Sequence, residues 1–303
     1  GLNLQEQLWT FDLIAISTYS AQIYEAYQLA DMIRRKHVPV VMGCLHVSSL
    51  PMEAKKHCDA VVIGEGELSW RALLTDFEAG CLQPFYGDKA SEFDLAEAPM
   101  PAFELLDIDK YNRLTVQTSR GCAHRCEFCA SSIMLTAHYK QKPAEKVLAE
   151  IDKIKSLWSH PFIELADDNS FVNRKHAKKL MRAMAGEGVR WFTESDISIA
   201  RDDELLALMR DSGVSRVSVS LDGADPETHD SLRGVTGSFE KAVGGIRNLV
   251  DQGIRPQMIC TLHQNNVSQL VRIVDLAERL GCGSVKFNHL QKIGRGEGMI
   301  EFY

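Results

Sequence analysis

The sequence predicts an α/β protein: a partial (β/α)6 TIM-like barrel preceded by a truncated doubly wound, Rossmann-like α/β domain. Two observations lead to this fold class. Short apolar runs of the kind that form buried parallel strands alternate with amphipathic helical stretches through most of the 303 residues. A polar stretch at 87–111, which contains Pro99 and Pro101, interrupts this alternation. We therefore expect a first domain over 1–86, a linker over 87–111 and a barrel over 112–303.

The first domain contains three successive pairs of a predicted strand and a predicted helix. The predicted strands cover 11–17, 39–42 and 60–63, and the predicted helices cover 21–36, a short segment after the second strand, and 68–78. This alternation indicates a parallel sheet with helices on its faces, because parallel strands need a long crossover connection. Ligands of such sheets bind beyond the carboxyl ends of the strands, so the turns after the three strands are candidate binding loops.

The barrel region repeats the alternation over a longer span. Its predicted strands cover 114–118, 162–166, 191–193, 215–221, 257–262 and 284–288. Its predicted helices cover 144–158, 174–186, 202–211, 239–252 and 267–280. Strands joined by right-handed helical crossovers make an open barrel, and active residues of such barrels lie at the carboxyl ends of the strands.

Composition limits the functional classes. Hydrophobic residues make up 45% of the chain, which allows a sizeable core, and the formal net charge is −7. A negative chain without a diffuse basic field disfavours nucleic-acid binding and favours a small-molecule or peptide substrate. No apolar run approaches the roughly 20 residues of a membrane span, and the N-terminus lacks a secretory signal pattern. We expect a cytoplasmic protein that binds neither a membrane nor nucleic acid.

Three of the eight cysteines, Cys122, Cys126 and Cys129, form a Cys-x3-Cys-x2-Cys loop directly after the first barrel strand. Thiolates suit iron–sulfur clusters, and a cubane [4Fe–4S] cluster normally takes four of them. Three cysteines would therefore leave one iron open for a ligand that is not protein. A zinc site that adds His124 to the three thiolates is the alternative, because Zn²⁺ closes at four ligands. The other cysteines are scattered and fit buried apolar positions.

This loop resembles the cluster loop of the radical S-adenosylmethionine (SAM) superfamily. The resemblance rests on the cysteine spacing, on Phe128 just before the last cysteine and on the Ser-Arg-Gly that precedes the first. It implies a [4Fe–4S] cluster whose free iron binds SAM, and an electron from the cluster that cleaves the sulfonium to give a 5′-deoxyadenosyl radical. It also implies an electron donor such as flavodoxin or ferredoxin, and it places Phe128 among the SAM contacts.

Polar residues at the ends of the second and third barrel strands are candidate SAM contacts by the same resemblance. Asp167 and Asp168 follow the second strand, where family members carry an acid that binds the SAM ammonium group. Glu194 and Ser195 end the third strand and would meet the SAM carboxylate or ribose. Judged from the residues alone, the Asp-Asp-Asn run could instead cap the helix that begins near Arg174, since Asp and Asn are preferred cap residues.

The fourth strand ends in Ser-Leu-Asp-Gly, followed by His-Asp-x-x-Arg-Gly, which resembles radical SAM proteins of the SPASM type. That resemblance puts Ser220 and Asp222 near the SAM ribose or the substrate. Proteins of this type carry an auxiliary cluster domain after the barrel. No second cysteine cluster is present in the sequence, so an auxiliary cluster would lie beyond residue 303 or does not exist. No catalytic residue is assigned beyond the cluster ligands.

The turns of the first domain resemble the later part of a cobalamin-binding domain. By this resemblance Ser17, Gly43 and Gly64, which follow or end the three strands, would line a cobalamin site. That fold often carries an Asp-x-His-x-x-Gly motif whose His ligates cobalt, and the motif is missing here. The chain opens at Gly1 without a methionine, so we expect the first unit of that domain to be cut away or absent. His46 fits a turn residue better than a cobalt ligand, because no supporting ligand accompanies it.

These features predict a radical SAM enzyme that reductively cleaves SAM at a [4Fe–4S] cluster. Cobalamin-dependent methyl transfer to carbon fits the first domain and the Asp-Asp-Asn run. Cobalamin-independent oxidation or bond formation on a peptide or small metabolite fits the SPASM-like fourth strand. The alternative from another class is a non-catalytic module that binds a structural zinc or iron–sulfur site.

Overall fold

The computed structural model describes residues 10–88, 90–122 and 139–289. The chain divides into two compact units. Of the described residues, 10–88, 90–98 and Tyr139 belong to the first unit, and 99–122 and 140–289 belong to the second. Among the described residues, no helix combines the length and the apolar character needed to cross a membrane.

The first unit contains a four-stranded parallel sheet with the strand order β1-β2-β3-β4. Its strands are β1 Ile14–Ser17, β2 Val40–Gly43, β3 Ala60–Val62 and β4 Phe85–Tyr86. Its described helices are α1 Ile23–Arg34, α2 Leu45–Ser49, α3 Pro51–Ala54 and α4 Gly66–Glu78. The predicted doubly wound class is confirmed, and the two-residue strand β4 extends the sheet beyond the last strand that the sequence predicts.

Helices cover both faces of this sheet, because alternate residues of a strand point to opposite sides. Val40 and Met42 of β2 pack in one apolar cluster with Ile33 of α1. Val41, between them, packs in a separate cluster with Leu73 of α4. α1 reaches the sheet through buried residues three or four positions apart: Ile23, Ala26, Tyr27, Ala30 and Ile33. The two clusters fix the strands in parallel, so their carboxyl ends meet at one edge.

The second unit contains a six-stranded parallel sheet with the order β12-β11-β10-β9-β8-β5 and a separate antiparallel pair, β6 and β7. The strands are β5 Leu114–Val116, β6 Ser119–Arg120, β7 Lys140–Gln141, β8 Phe162–Leu165, β9 Arg190–Thr193, β10 Val214–Ser220, β11 Gln257–Leu262 and β12 Ser284–His289. The described helices are α5 Ala144–Leu157, α6 Arg174–Met184, α7 Asp203–Asp211, α8 Pro226–Arg233, α9 Ser238–Asp251 and α10 Leu270–Arg279. Sequential strands that lie side by side and are joined by helices confirm the predicted partial barrel.

The core of the second unit lies between the sheet and its outer helices. Trp191 of β9 is fully buried in it, and its indole N–H donates to the carbonyl of Ser212 at 2.9 Å. The turn into β10 depends on Gly213, which has φ +92° and leaves only 2.2 Å between an added Cβ and the carbonyl oxygen of Val189. A side chain at this position would therefore displace the start of β10.

The stretch expected as a linker contains three single-turn 3-10 helices: Leu95–Glu97, Phe103–Leu105 and Ile108–Lys110. Phe103 is buried and packs into the core of the second unit. Turns of three residues are too short to produce a helical period, which is why the sequence pattern of this stretch looks irregular.

Candidate functional site

The carboxyl ends of the barrel strands bring together segments that are far apart in the sequence. Cys122 follows β5 and β6, the Asp-Asp-Asn run at 167–169 follows β8, and Ser195 and Asp196 follow β9. Side chains of these three segments contact one another. The carboxyl edge of a barrel is where catalytic residues lie in this fold, so this edge is the candidate site.

Asp167 is a buried carboxylate that anchors the chain where it leaves β5. Its Oδ1 accepts the backbone N–H groups of Thr118 at 2.7 Å and Ser119 at 2.8 Å. Its Oδ2 accepts the hydroxyl of Ser170 at 2.7 Å and the hydroxyl of Thr118. Such charge-assisted bonds compensate the cost of burying a carboxylate. The structure thus places Asp167 inside the protein, where it holds the backbone that leads toward Cys122.

Asp168 lies closer to the loop. Its Oδ2 accepts the backbone N–H of Gly121 at 2.9 Å, and Gly121 has φ +85°, a conformation that favours glycine. Together the two aspartates fix the backbone that leads to Cys122. The cap of α6 is instead Asn173, whose Oδ1 accepts the N–H of His176 at 3.2 Å. Asn173 therefore caps α6, and the Asp-Asp-Asn run does not.

Asn169 connects the candidate cluster ligand to the third strand. Its side chain is enclosed in the protein, since the residue is only 3% exposed. Its Nδ2 lies 3.9 Å from Sγ of Cys122 and donates to Oδ2 of Asp196 at 2.8 Å. The hydroxyl of Ser195 donates to Oδ1 of Asn169 at 3.4 Å. Neither Asn169 nor Asp196 was among the residues predicted from the sequence, because the partner of an amide side chain is not visible in a sequence pattern.

The chemistry of the cluster loop fits an iron–sulfur cluster. Cys122 is a free cysteine of intermediate exposure at the carboxyl edge of the sheet, and it has an amide N–H donor beside its sulfur. Soft thiolate ligands with N–H donors nearby are the environment that such clusters use. The predicted ligands Cys126 and Cys129 and the predicted SAM contact Phe128 lie outside the described residues.

A cavity of about 900 Å³ in the second unit opens among β9, β10, α8 and α9. Its polar lining includes Ser195, Asp196, Ser218, Ser220, His229 and Arg233, and apolar side chains make up much of the rest of the walls. The volume and the mixed lining are typical of sites for small ligands. Of the predicted SAM contacts, Ser195 and Ser220 line this cavity, whereas Glu194 is exposed at the end of β9.

Asp222 is 1% exposed and forms hydrogen bonds with several neighbouring residues. Its Oδ1 accepts the N–H of Thr261 at 2.7 Å, and its Oδ2 accepts Nε of Arg233 at 2.8 Å. Its own backbone N–H donates to Nδ1 of His229 at 3.0 Å. Burial lowers the pKa of His229, so the ring is neutral with Nδ1 as an acceptor. Asp222 therefore orients Arg233, which lines the cavity, from a position behind it.

In the first unit, the three predicted cobalamin contacts lie at the same edge of the sheet. Ser17 and Gly43 are register partners at the carboxyl ends of β1 and β2. Gly64 follows β3, has φ +76°, and donates its N–H to Oγ of Ser48 at 3.0 Å. Ser17 is exposed, and the other two positions are glycines, so no long side chain from these three positions would block a large ligand at this edge. In this respect the residues present fit a cobalamin.

Two further features mark this edge. Cys44 has φ +85° and ψ −170°, a region that L-residues rarely adopt and that costs of order 1–3 kcal/mol. His46 is held inside the unit, because Nδ1 contacts Oγ of Ser20 at 3.0 Å and Nε2 contacts Oε1 of Glu53 at 3.3 Å. Both ring nitrogens have protein partners. The prediction that His46 is a turn residue is wrong, because His46 lies within helix α2.

Comparisons with known proteins point to two families. The family model of the radical SAM superfamily matches residues 116–277, and the model of the B12 binding domain matches residues 5–74. These matches correspond to the second and the first unit.

Two curated relatives are methyltransferases by name. An uncharacterized methyltransferase of Pyrococcus horikoshii is 27% identical over 252 residues, which cover 74% of this chain and 55% of that protein. The bacteriochlorophyllide d C-8(2)-methyltransferase of Chlorobaculum tepidum is 24% identical over 247 residues, which cover 76% of this chain and 54% of that protein. The chain thus spans about half the length of these relatives.

Among solved structures, the fold is similar to that of TsrM from Kitasatospora setae, a radical S-adenosylmethionine methyltransferase determined with cobalamin and a [4Fe–4S] cluster bound. The TM-score is 0.73 at 19% sequence identity, and the alignment covers 94% of this chain and 66% of TsrM. At this identity the likeness shows the fold, which in TsrM likewise contains both units.

Proposed function

Since this chain belongs to the radical SAM superfamily, we propose that the full-length protein is a cobalamin-dependent radical SAM methyltransferase that methylates a carbon atom of a small molecule. The observation that carries the proposal is the pairing of a cluster loop, with Cys122 at the carboxyl edge of a partial barrel, and a B12-binding unit on one chain. The names of the relatives, which are methyltransferases, support a methyl group as the group that is transferred.

In the second unit, Cys122, Cys126 and Cys129 would hold a [4Fe–4S] cluster, which supplies the electron for cleavage of SAM when it is bound. Asp167 and Asp168 position the backbone of the cluster loop. Asp168, Glu194, Ser195 and Ser220 would offer donors and acceptors to SAM, and Phe128 would add an apolar contact. Asp222 acts through Arg233, because protein groups occupy both oxygens of its carboxylate.

In the first unit, Ser17, Gly43 and Gly64 would contact cobalamin at the carboxyl edge of the sheet. Cobalamin would carry the methyl group. The protein contributes the small residues at this edge and, in the second unit, a cavity with a mixed polar and apolar lining for a small ligand. An external one-electron donor of the flavodoxin or ferredoxin class would reduce the cluster, and the cytoplasm is the compartment that supplies such donors.

The test uses the full-length protein, reconstituted anaerobically with iron, sulfide and cobalamin and then reduced in the presence of methyl-labelled SAM. We expect bound cobalt, consumption of SAM and transfer of the label to cobalamin. Cys126→Ala should abolish the formation of 5′-deoxyadenosine, the product of SAM cleavage at the cluster, whereas Cys81→Ala, which changes an exposed cysteine outside the loop, should not.

Two outcomes would change the assignment. Consumption of SAM to 5′-deoxyadenosine without cobalt binding would replace methyl transfer by cobalamin-independent oxidation or bond formation. A tightly bound zinc with no consumption of SAM would leave a structural metal module.

A further inference from the structure

Asn169 is held in one orientation by groups that are themselves fixed. Oδ2 of Asp196 accepts from its Nδ2, while Oδ1 of Asp196 accepts the N–H of Ser198 at 2.8 Å and caps the 3-10 helix Ile197–Arg201. On the other side, the backbone carbonyl of Asn169 accepts the hydroxyl of Ser119 at 3.5 Å. The amide group therefore presents an N–H to Cys122 from a buried and braced position.

We propose that Asn169 is a positioning residue that orients the Cys122 sulfur and raises the reduction potential of the cluster. The inference rests on the proposed function, because it requires that Cys122 ligates a [4Fe–4S] cluster. Two contacts support it. Nδ2 of Asn169 lies 3.9 Å from Sγ of Cys122, and the same nitrogen donates a hydrogen bond to the carboxylate of Asp196.

The direction of the effect follows from charge. One-electron reduction by an external donor adds negative charge to the cluster and its thiolates. A hydrogen-bond donor aimed at a ligating sulfur stabilises the more negative, reduced form, and such bonds are among the factors that set cluster potentials. Removing this donor makes the cluster harder to reduce, so the midpoint potential becomes more negative.

The alternative role of Asn169 is mechanical. If the amide only braces the strand ends, its removal lowers the stability of the fold or the amount of cluster bound. A mechanical role leaves the potential of the clusters that do form unchanged, so the potential separates the two roles.

The experiment compares Asn169→Leu, which keeps the approximate shape without a donor, with the full-length reconstituted wild type. The control is Asn248→Leu, because Asn248 also donates an amide N–H, at 2.8 Å, but to the carbonyl of Ala200 in the 3-10 helix that Asp196 caps and not to a cysteine sulfur. This control loosens the same support without removing a donor to the sulfur. Midpoint potentials are measured by redox titration monitored by electron paramagnetic resonance. We expect a more negative potential and a changed spectrum in Asn169→Leu and wild-type values in Asn248→Leu.

A wild-type potential and spectrum in Asn169→Leu would overturn the inference. If that variant binds no cluster, the potential is measured in Asn169→Ser instead. The serine side chain is too short for its hydroxyl to reach the sulfur of Cys122. A wild-type potential in Asn169→Ser would then overturn the inference, and a more negative one would support it. A wild-type protein that forms no redox-active cluster would overturn the proposed function itself, before any variant is compared.

Discussion

At the scale of single residues, two aspartates at strand ends have hydrogen-bond partners that their sequence positions do not indicate. Asp167 and Asp222 both follow barrel strands, where ligand contacts are expected, yet each is enclosed by protein donors. A buried carboxylate is stable only when its oxygens accept hydrogen bonds, and backbone N–H groups at the strand ends supply them. These two acids hold neighbouring groups in place: the cluster loop for Asp167, and Arg233 for Asp222.

The neutral ring of His229 gives the fold a pH dependence. Burial is the main cause of its lowered pKa, the nearby Arg233 adds to it, and the carboxylates of Asp222 and Asp230 oppose it. Below the ordinary pKa of about 6.5, the unfolded chain therefore binds a proton that the folded protein resists. The titration of His229 therefore does not reduce the free energy of unfolding above that pH, and it reduces this free energy as the pH falls below it. We expect a smaller free energy of unfolding in urea at about pH 5.5 than at about pH 7.5.

The share that belongs to His229 is measured with His229→Asn, since burial also lowers the pKa of His263. The Asn variant should show a weaker dependence of unfolding free energy on pH than the wild type. His160→Asn, at an exposed position, is the control and should keep the wild-type dependence. Equal pH dependence in His229→Asn and the wild type would contradict the assignment of a neutral, buried ring.

At the scale of elements, the return of the chain from the cluster loop is fastened by an ion pair. Lys142 follows β7, and its Nζ lies 2.6 Å from Oε1 of Glu150 on α5, with the two side chains 5% and 4% exposed. The backbone N–H of Lys142 also donates to the carbonyl of Thr118 at 2.8 Å. The pair therefore ties the end of the loop to both its beginning and the first barrel helix.

Removing one partner of this pair should strongly destabilise the fold. Lys142→Met leaves Glu150 buried without its cation, for which we expect a loss on the order of 3–5 kcal/mol in the free energy of unfolding in urea. The double variant Lys142→Met, Glu150→Leu should recover much of the loss, because no unpaired charge remains.

The matched control is the exposed pair of Lys179 and Glu145, whose charged atoms are 4.0 Å apart. Glu145→Gln should change the free energy of unfolding by less than about 0.5 kcal/mol. A loss of that small size in Lys142→Met would show that the buried pair does not fasten the loop.

Element boundaries were predictable where the periodic pattern is long and not where it is short. The strand at 257–262 was predicted with the bounds that the structure has, and α9 differs from its prediction by one residue at each end. The two-residue strand β4 and the 3-10 turns between residues 95 and 110 were not predicted. Segments of two or three residues contain less than one period of either pattern, so tertiary contacts decide them.

At the scale of the whole molecule, the two units would carry separate cofactors, so their defects should be separable. We expect Ser17→Trp to lower the cobalt content of the full-length protein, because an indole at the exposed end of β1 would fill the edge of the sheet. The iron content and cluster spectrum should remain. Cys126→Ala should show the reverse: loss of the cluster with cobalt retained.

Lys36→Trp is the control for added bulk, since Lys36 is exposed beyond the end of α1, at the opposite edge of the sheet. It should keep both cofactors. Retention of full cobalt content in Ser17→Trp would argue against a cobalamin site at this edge. Joint loss of cobalt and iron in that variant would mean that the two sites are not independent.

The sequence by itself determined the fold class, the order of the longer strands and helices apart from α8, and the cysteine loop that indicates the radical SAM superfamily, since these depend on local spacing and on periodicity within single elements. Only the tertiary structure decided the hydrogen-bond partners of Asp167, Asn169 and Asp222. Their partners lie up to 50 residues away in the chain, and they meet because parallel strands bring their carboxyl ends to one edge. Which of two adjacent polar residues points inward depends on that packing, and a sequence pattern does not record it.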